Sequence, residues 1–129
     1  MTLLLFDTTV LIDVLRGQPA GQRLLALRRT VVPATSAINV EEIVRGLRES
    51  EQPAADRLFA GLKVQPIGRP EAELAGAWRR DFAARGVTLH QADCLIAATA
   101  VVHGARLATG NVEDFPMPGL TVEDWTAGR

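Results

Sequence analysis

The chain has 129 residues, of which 47% are hydrophobic and 22% charged, a composition typical of a folded globular domain and not of a disordered segment. Fourteen Lys and Arg residues oppose fifteen Asp and Glu residues, so the overall basic excess of many nucleic-acid-binding proteins is absent. We therefore expect a single domain over residues 1–129, in which any contact with a polyanion depends on a local group of charges.

The N-terminal segment and the cysteine content bear on location. The apolar run before Asp7 is only four residues long, and no basic residue precedes it. It therefore predicts neither a signal peptide nor a membrane span. The single cysteine, Cys94, has no partner for an internal disulfide and lies in an apolar run, so we interpret it as a buried small hydrophobe. These features favour a reducing, cytoplasmic setting.

Strands and helices are predicted to alternate along the chain. Apolar runs between turn signals predict strands at 3–6, 31–35, 63–67, 106–108 and 120–122. Helical apolar spacing, with Gly or Pro at the ends, predicts helices at 8–16, 39–50, 53–61, 70–85 and 91–103. This alternation indicates an α/β fold with right-handed crossovers and a mainly parallel sheet between two layers of helices.

Acidic residues follow or open several of these segments. They are Asp7, Glu42, Asp93 and Asp114. Each has an ordinary structural explanation, because carboxylates favour helix N-termini. In particular, Asn39 and Glu42 have the spacing of a capping box, and Asn111 and Asp114 repeat a cap-like spacing. A functional interpretation must therefore depend on the four acids together.

Taken together, the acids predict a metal site. Asp7 follows the first strand, and ligands of open parallel sheets bind at the carboxyl ends of strands. Asp93 opens the most apolar helix, where a buried acid needs a partner. Clustered carboxylates repel one another unless a cation neutralises them, and oxygen ligands favour Mg²⁺ or Mn²⁺ over zinc. One cysteine and the separated His90 and His103 provide no zinc set.

Four segments carry a family resemblance. They are Asp7-Thr8-Thr9-Val10-Leu11-Ile12-Asp13, Glu42-Ile43-Val44-Arg45-Gly46, Ala92-Asp93-Cys94-Leu95-Ile96-Ala97-Ala98-Thr99-Ala100 and Thr109-Gly110-Asn111-Val112-Glu113-Asp114-Phe115. With these segments in this order, the chain resembles PIN-domain ribonucleases, specifically VapC-type toxins. The resemblance implies a PIN-like three-layer α/β/α sandwich over nearly the whole chain.

The resemblance also implies roles for individual residues. The four acids are expected to bind Mg²⁺ or Mn²⁺ and to form the catalytic site, with Thr8, Thr109 and Asn111 in support. Many relatives have an aspartate where this chain has Asn111, which favours Asp114 as the fourth acid. The implied activity is a metal-dependent endoribonuclease toxin. Its implied partners are an RNA substrate, a cognate VapB-type antitoxin and a second copy in a homodimer, with no membrane.

Two other classes of function remain open at the sequence level. The strand that ends at Asp7 resembles the start of haloacid-dehalogenase-like phosphatases, which transfer phosphoryl groups through an aspartyl phosphate. Thr9 stands where their second aspartate is expected. The other alternative is a non-catalytic RNA- or protein-binding module, because a fold alone does not establish activity.

Overall fold

The computed structural model describes residues 1–126, so the last three residues of the expected domain, 127–129, lie outside the described part. The strands of this part are β1 (Thr2–Phe6), β2 (Val31–Ser36), β3 (Lys63–Gln65), β4 (Arg106–Thr109) and β5 (Val122–Asp124). Its α-helices are α1 (Thr8–Leu15), α2 (Ala20–Leu27), α3 (Ala37–Gly46), α4 (Gln52–Ala60), α5 (Arg69–Ala84) and α6 (Gln91–Val102). Short 3₁₀ turns span Glu49–Glu51 and Val112–Asp114.

The strands form one sheet in the order β3-β2-β1-β4-β5, and every neighbouring pair is parallel. β1 lies in the centre, where Leu5 faces Ala34 of β2 on one side and Leu107 of β4 on the other. The chain first builds outward through β2 and β3 and then crosses to β4 and β5. This change of direction places a topological switch point between β1 and β4.

Alternating side chains of β1 pack against two different helical layers, as the period of a strand requires. Leu5 belongs to the core beneath α5 and α6, together with Trp78 and Ile96. Leu4 and Phe6 belong to the opposite core, which also contains residues of α1, α2 and α3. Both faces of the sheet are therefore covered, and the predicted three-layer α/β/α architecture is confirmed.

Several predicted elements differ from the structure at their limits. Helix α2 was not predicted, because five of its eight residues are Ala, Gly, Gln or Arg and its Leu25 is 61% exposed. Strand β3 ends at Gln65 and not at residue 67, since Pro66 has no N–H to continue the ladder. The last strand begins at Val122, two residues later than predicted.

The prediction that Asn39 caps the third helix is wrong. Ser36, the last residue of β2, is the N-cap of α3. Its hydroxyl accepts a hydrogen bond from the Asn39 backbone N–H, and the Asn39 side chain accepts one from the Ser36 backbone N–H. Asn39 thus takes the third position of the capping box. Glu42 lies in the middle of α3, and capping does not explain it.

Trp125 extends the pairing of β5 with β4, and its ring reaches the central strand β1. The Trp125 backbone N–H donates to the Thr109 carbonyl at 2.8 Å. Its ring is 2% exposed and meets Phe6 edge-to-face, with 5.1 Å between the ring centroids. The Arg23 guanidinium lies 4.0 Å from the Trp125 ring centroid. Within residues 1–126, no helix combines the length and apolar character needed to cross a membrane.

Candidate active site

The candidate site lies at the switch point between β1 and β4. Asp7 follows β1 directly, and its backbone N–H donates to the Ala108 carbonyl at 3.0 Å. This bond extends the pairing of the two strands by one step beyond Phe6 and Ala108. Thr109 is the last residue of β4 and Gly110 follows it, so both lie at the same end of the sheet as Asp7. The site position predicted for Asp7 is thus the place where the carboxyl ends of β1 and β4 meet.

Three donors orient the carboxylate of Asp7, which is 5% exposed. Oδ1 accepts from the Thr9 backbone N–H at 2.6 Å and from the Thr9 hydroxyl at 2.5 Å. Oδ2 accepts from the Thr109 hydroxyl at 2.6 Å. The two hydroxyls are themselves aligned, because they accept from the backbone N–H groups of Gly110 and Asn111. Asp7 is both the N-cap of α1 and a rigidly held acceptor.

Glu42 approaches the same region from α3. Its Oε1 accepts a hydrogen bond of 2.6 Å from the hydroxyl of Thr8, which is the first residue of α1. The Thr8 oxygen in turn lies 3.1 Å from the side-chain nitrogen of Asn39. Sequence reasoning expected Thr8 to support the acids, but it missed the contact between Thr8 and Asn39, because it assigned Asn39 to a cap and gave no register between α1 and α3.

Asp93, in the first turn of α6, and Asp114, in the 3₁₀ turn after β4, complete the set. Both line a cleft of about 200 Å³, whose other walls include Asp7, Glu42 and Asn111. Burial raises the pKa of Asp93 to about 6, with the charge of Asp114 as the next cause. His90 opposes this rise, whereas Asp7 and Glu42 reinforce it.

The cleft contains hard oxygen donors and no nitrogen or sulfur ligand. Its lining comprises Asp7, Thr8, Thr9, Glu42, Asp93, Ile96, Asn111, Asp114 and Phe115. Within residues 1–126 none of the four acids forms a salt bridge, so no Lys, Arg or His side chain of this part directly neutralises their mutual repulsion. This chemistry fits a divalent cation such as Mg²⁺, which prefers carboxylate oxygens and water.

The acids do not form a ready-made cage. In the part of the chain that the structure describes, no three His, Cys, Asp or Glu side chains are grouped closely enough to hold a metal ion together. A cation with one or two direct carboxylate ligands and several waters needs no such cage. Asn111 lines the cleft; its backbone N–H donates to the Thr109 hydroxyl, and its carbonyl accepts a hydrogen bond of 3.0 Å from the Asp114 backbone N–H.

A larger cleft of about 420 Å³ lies elsewhere, between α2 and α4. Its walls are Leu24, Leu25, Arg28, Pro33, Arg57, Leu58, Gly61 and Leu62. No carboxylate lines it, and two arginines flank an apolar floor. We place the candidate chemistry in the smaller cleft, because that is where titratable groups converge and the pKa of one of them is shifted.

Comparisons with known proteins agree with this geometry. The family model described as PIN domain matches residues 4–116. Ribonuclease VapC19 of Mycobacterium tuberculosis is 36% identical over 115 residues, covering 88% of this chain and 92% of its own. Ribonuclease VapC10 of the same species is 38% identical over 116 residues, covering 89% of this chain and 87% of its own. The chain therefore belongs to the PIN-domain family, within its VapC-type ribonucleases.

Solved structures extend the likeness to three dimensions. VapBC2 from Rickettsia felis, bound to a DNA fragment from its promoter, contains a chain that superposes with a TM-score of 0.87 at 22% identity, over 96% of this chain and 99% of that one. A toxin–antitoxin complex from Klebsiella pneumoniae contains a chain that superposes with a TM-score of 0.73 at 31% identity, over 92% of this chain and 95% of that one. The first shows the shared fold alone.

Proposed function

We propose that this protein is an endoribonuclease that depends on Mg²⁺ or Mn²⁺ and acts as the toxin of a toxin–antitoxin pair. The observation that carries the proposal is the convergence of four carboxylates on one cleft without a salt bridge within residues 1–126. Membership of the VapC-type ribonucleases supplies the substrate class, RNA.

The proposed roles follow the family resemblance and, for Asp7 and Glu42, the hydrogen bonds that hold the side chain. Asp7 and Asp93 are proposed as direct metal ligands, with Asp114 as the fourth acid. Glu42 is proposed to bind through water or to orient the attacking water. A divalent cation held by these residues would lower the pKa of a bound water and would stabilise charge on the scissile phosphate. The protein supplies a fixed acceptor at Asp7, whose two oxygens are oriented by Thr9 and Thr109.

The phosphatase alternative is not supported by the residue two positions after Asp7, which is Thr9. An aspartyl nucleophile needs an oxygen that is free to attack. Oδ1 of Asp7 accepts two hydrogen bonds, and Oδ2 accepts a third. Thr9, at the position of the expected second aspartate, is one of the groups that hold Asp7 in place. The three hydrogen bonds leave one lone-pair site on Oδ2, which suits a cation or a phosphorus atom equally, so it is the missing second aspartate that disfavours the phosphatase.

The proposed partners are a cognate VapB-type antitoxin and a second copy of the chain. The named likeness to a toxin–antitoxin complex at 31% identity supports the antitoxin. A cluster of four acids is also complementary to an inserted Arg or Lys side chain, which would neutralise it as a cation does. The homodimer and the cytoplasmic location stay predictions from the resemblance, and sedimentation of the purified chain tests the former.

The proposed activity is tested by sequencing the new 5′ ends that appear when cellular RNA is incubated with the protein. Four conditions decide the result: Mg²⁺ or Mn²⁺, EDTA, Asp93→Asn, and Asp81→Asn as a matched change at an exposed acid of α5. We expect cleavage that needs both the metal and Asp93 and that Asp81→Asn leaves intact. Undiminished cleavage by a well-folded Asp93→Asn variant would contradict the proposed site. RNA binding without cleavage would favour the non-catalytic module.

A further inference from the structure

A buried amide at the start of α3 has an orientation that the backbone fixes. The Asn39 side chain is completely buried. Its Oδ1 atom lies 3.1 Å from the Ser36 backbone nitrogen and 2.6 Å from the Ser36 hydroxyl. A backbone N–H can only donate, so the atom that it meets must be the amide oxygen. The amide nitrogen therefore points the other way, toward Thr8.

This orientation sets the direction of the next two hydrogen bonds. Nδ2 of Asn39 lies 3.1 Å from Thr8 Oγ1 and can only donate to it. The Thr8 hydroxyl accepts that bond, so its single proton is available for Glu42 Oε1 at 2.6 Å. The Asn39 amide, the Thr8 hydroxyl and the Glu42 carboxylate thus form a chain with one direction. We call this set the Asn39 chain.

We propose that Asn39 is a positioning residue for Glu42 and acts through the Thr8 hydroxyl. The proposal rests on the proposed function insofar as Glu42 serves a metal-binding cleft. The Asn39 chain holds Oε1 of Glu42 as an acceptor, and Oε2 receives no hydrogen bond within residues 1–126. Oε2 therefore keeps its lone pairs for a further ligand. Without the donor from Asn39, the Thr8 hydroxyl can rotate, and Glu42 loses a fixed partner.

Capping alone does not require an asparagine at this position. The capping box uses the Asn39 backbone N–H and side-chain oxygen, both directed at Ser36. A glutamate or glutamine is the usual residue there. The Nδ2 group takes no part in the cap, and it donates its hydrogen bond to the Thr8 hydroxyl. Only a short amide supplies an acceptor toward Ser36 and a donor toward Thr8 at once, and an aspartate would lack the donor.

The test is a double-mutant cycle of Asn39→Ala and Thr8→Val, read out in metal-free protein by the ¹³C resonance of the Glu42 carboxyl group, which Glu42→Gln assigns. We expect each single variant to shift this resonance, and we expect Asn39→Ala to add no further shift when Thr8 is already Val. Ser36→Ala is the matched control. It weakens the cap and lowers the urea midpoint, but it keeps the Ser36 N–H bond to Asn39 and leaves the resonance in place.

Two results would overturn the proposal. One is a Glu42 resonance that Asn39→Ala or Thr8→Val leaves unmoved, and the other is an equal shift by Asn39→Ala with and without the Thr8 hydroxyl. Should Asn39→Ala not fold, Asn39→Leu keeps most of the volume without introducing a charge and takes its place in the cycle, where its shift must likewise vanish without the Thr8 hydroxyl.

A second measurement separates this proposal from the proposed function. The Kd for Mn²⁺, measured by calorimetry without RNA, is expected to rise roughly tenfold in Asn39→Ala and in Thr8→Val, and no further in the double variant. Failure of the unmodified protein to bind Mn²⁺ would contradict the proposed metal site. The Glu42 resonance would still decide the Asn39 chain, because it is recorded without metal.

Discussion

The Thr109 hydroxyl donates a hydrogen bond of 2.6 Å to Asp7 Oδ2, although the two residues are 102 positions apart in the sequence. The bond exists because β1 and β4 are parallel neighbours and both end at this edge of the sheet. It joins the first and last segments of the candidate site. The orientation of Asp7 therefore depends on the completed sheet and not on α1 alone.

Thr109→Val tests this bond with a side chain of nearly the same shape. The change removes a donor from Asp7 and an acceptor from the Asn111 N–H. We expect RNA cleavage to fall about tenfold, as for other supports of metal ligands, and the free energy of unfolding to fall by about 1 kcal/mol. Single-turnover cleavage and urea unfolding measure the two effects.

Thr99→Val is the matched control for this change. Thr99 is also completely buried, and its hydroxyl donates to the Leu95 carbonyl within α6 at 2.7 Å. We expect a comparable or smaller loss of stability and no loss of cleavage. Equal losses of cleavage in both variants would mean that the Thr109 hydroxyl has no special relation to the site.

Gly110→Ala probes the turn that follows β4. A Cβ atom at this position would lie 3.2 Å from the Thr9 hydroxyl oxygen, closer than ordinary van der Waals contact. Thr9 must then shift by a few tenths of an ångström, and its bond to Asp7 shifts with it. We expect cleavage to fall several-fold, because small displacements of ligands weaken a preorganised site, and stability to fall by about 1 kcal/mol.

Gly76→Ala is the same chemical change as Gly110→Ala, but we expect it to have the opposite effect on stability. Gly76 lies inside α5, and a Cβ there would meet nothing within 4 Å. We expect the protein to gain about 0.5–1 kcal/mol of stability, since Ala is a better helix former than Gly. Cleavage should not change. A Gly110→Ala variant that behaves like Gly76→Ala would show that Gly110 is not needed for close approach.

The sequence predicted the layers and the parallel sheet because β1, β2 and β4 are short apolar runs separated by helices with clear ends. It did not predict α2, whose apolar stripe is partly exposed and carries no cap signal. The capping boxes Ser36-x-x-Asn39 and Asn39-x-x-Glu42 overlap in the sequence, and local spacing cannot choose between them. The end of β2 at Ser36, set by its pairing with β1 and β3, decides the matter.

The candidate site, like the fold, was predicted from the sequence only in part. The sequence indicated its acids through their positions after strands and at turns, and the family resemblance strengthened that prediction. The structure shows which threonine serves which acid, because those contacts join separate elements: Thr8 faces Glu42 across α1 and α3, and Thr109 faces Asp7 across two strands. The spacing of residues along the sequence does not tell which residues of two separate elements lie opposite each other.

Trp125→Ala is expected to destabilise the protein strongly. The Trp125 side chain is 2% exposed and packs edge-to-face on Phe6, and the Arg23 guanidinium lies over its ring. Truncation of a buried tryptophan typically costs about 3–5 kcal/mol. Leu25→Ala, at a side chain that is 61% exposed, should cost far less. Urea unfolding compares the two, and equal midpoints would contradict the packing described for Trp125.

The raised pKa of Asp93 predicts how the stability of the metal-free protein depends on pH. Its pKa rises from 3.8 to about 6 on folding, so at intermediate pH the folded protein holds a proton that the unfolded chain has lost. Stability from this group is therefore greatest below 3.8 and falls as pH rises through about 6. Relative to Asp93→Asn, the unmodified protein should lose about 1–2 kcal/mol by pH ~7.5, after solvent screening of a partly exposed group.

Urea unfolding in EDTA across this pH range measures the difference between the two proteins, with Asp81→Asn as the surface control. A difference for Asp93→Asn that does not change with pH would contradict the interpretation. Mg²⁺ should reverse the order at neutral pH, because a cation bound only to the folded state stabilises it by about 2.7 kcal/mol at one hundred times its Kd. The Asp93→Asn variant lacks a proposed ligand and should gain much less, so the acid that destabilises the metal-free fold is the one that makes metal binding most stabilising.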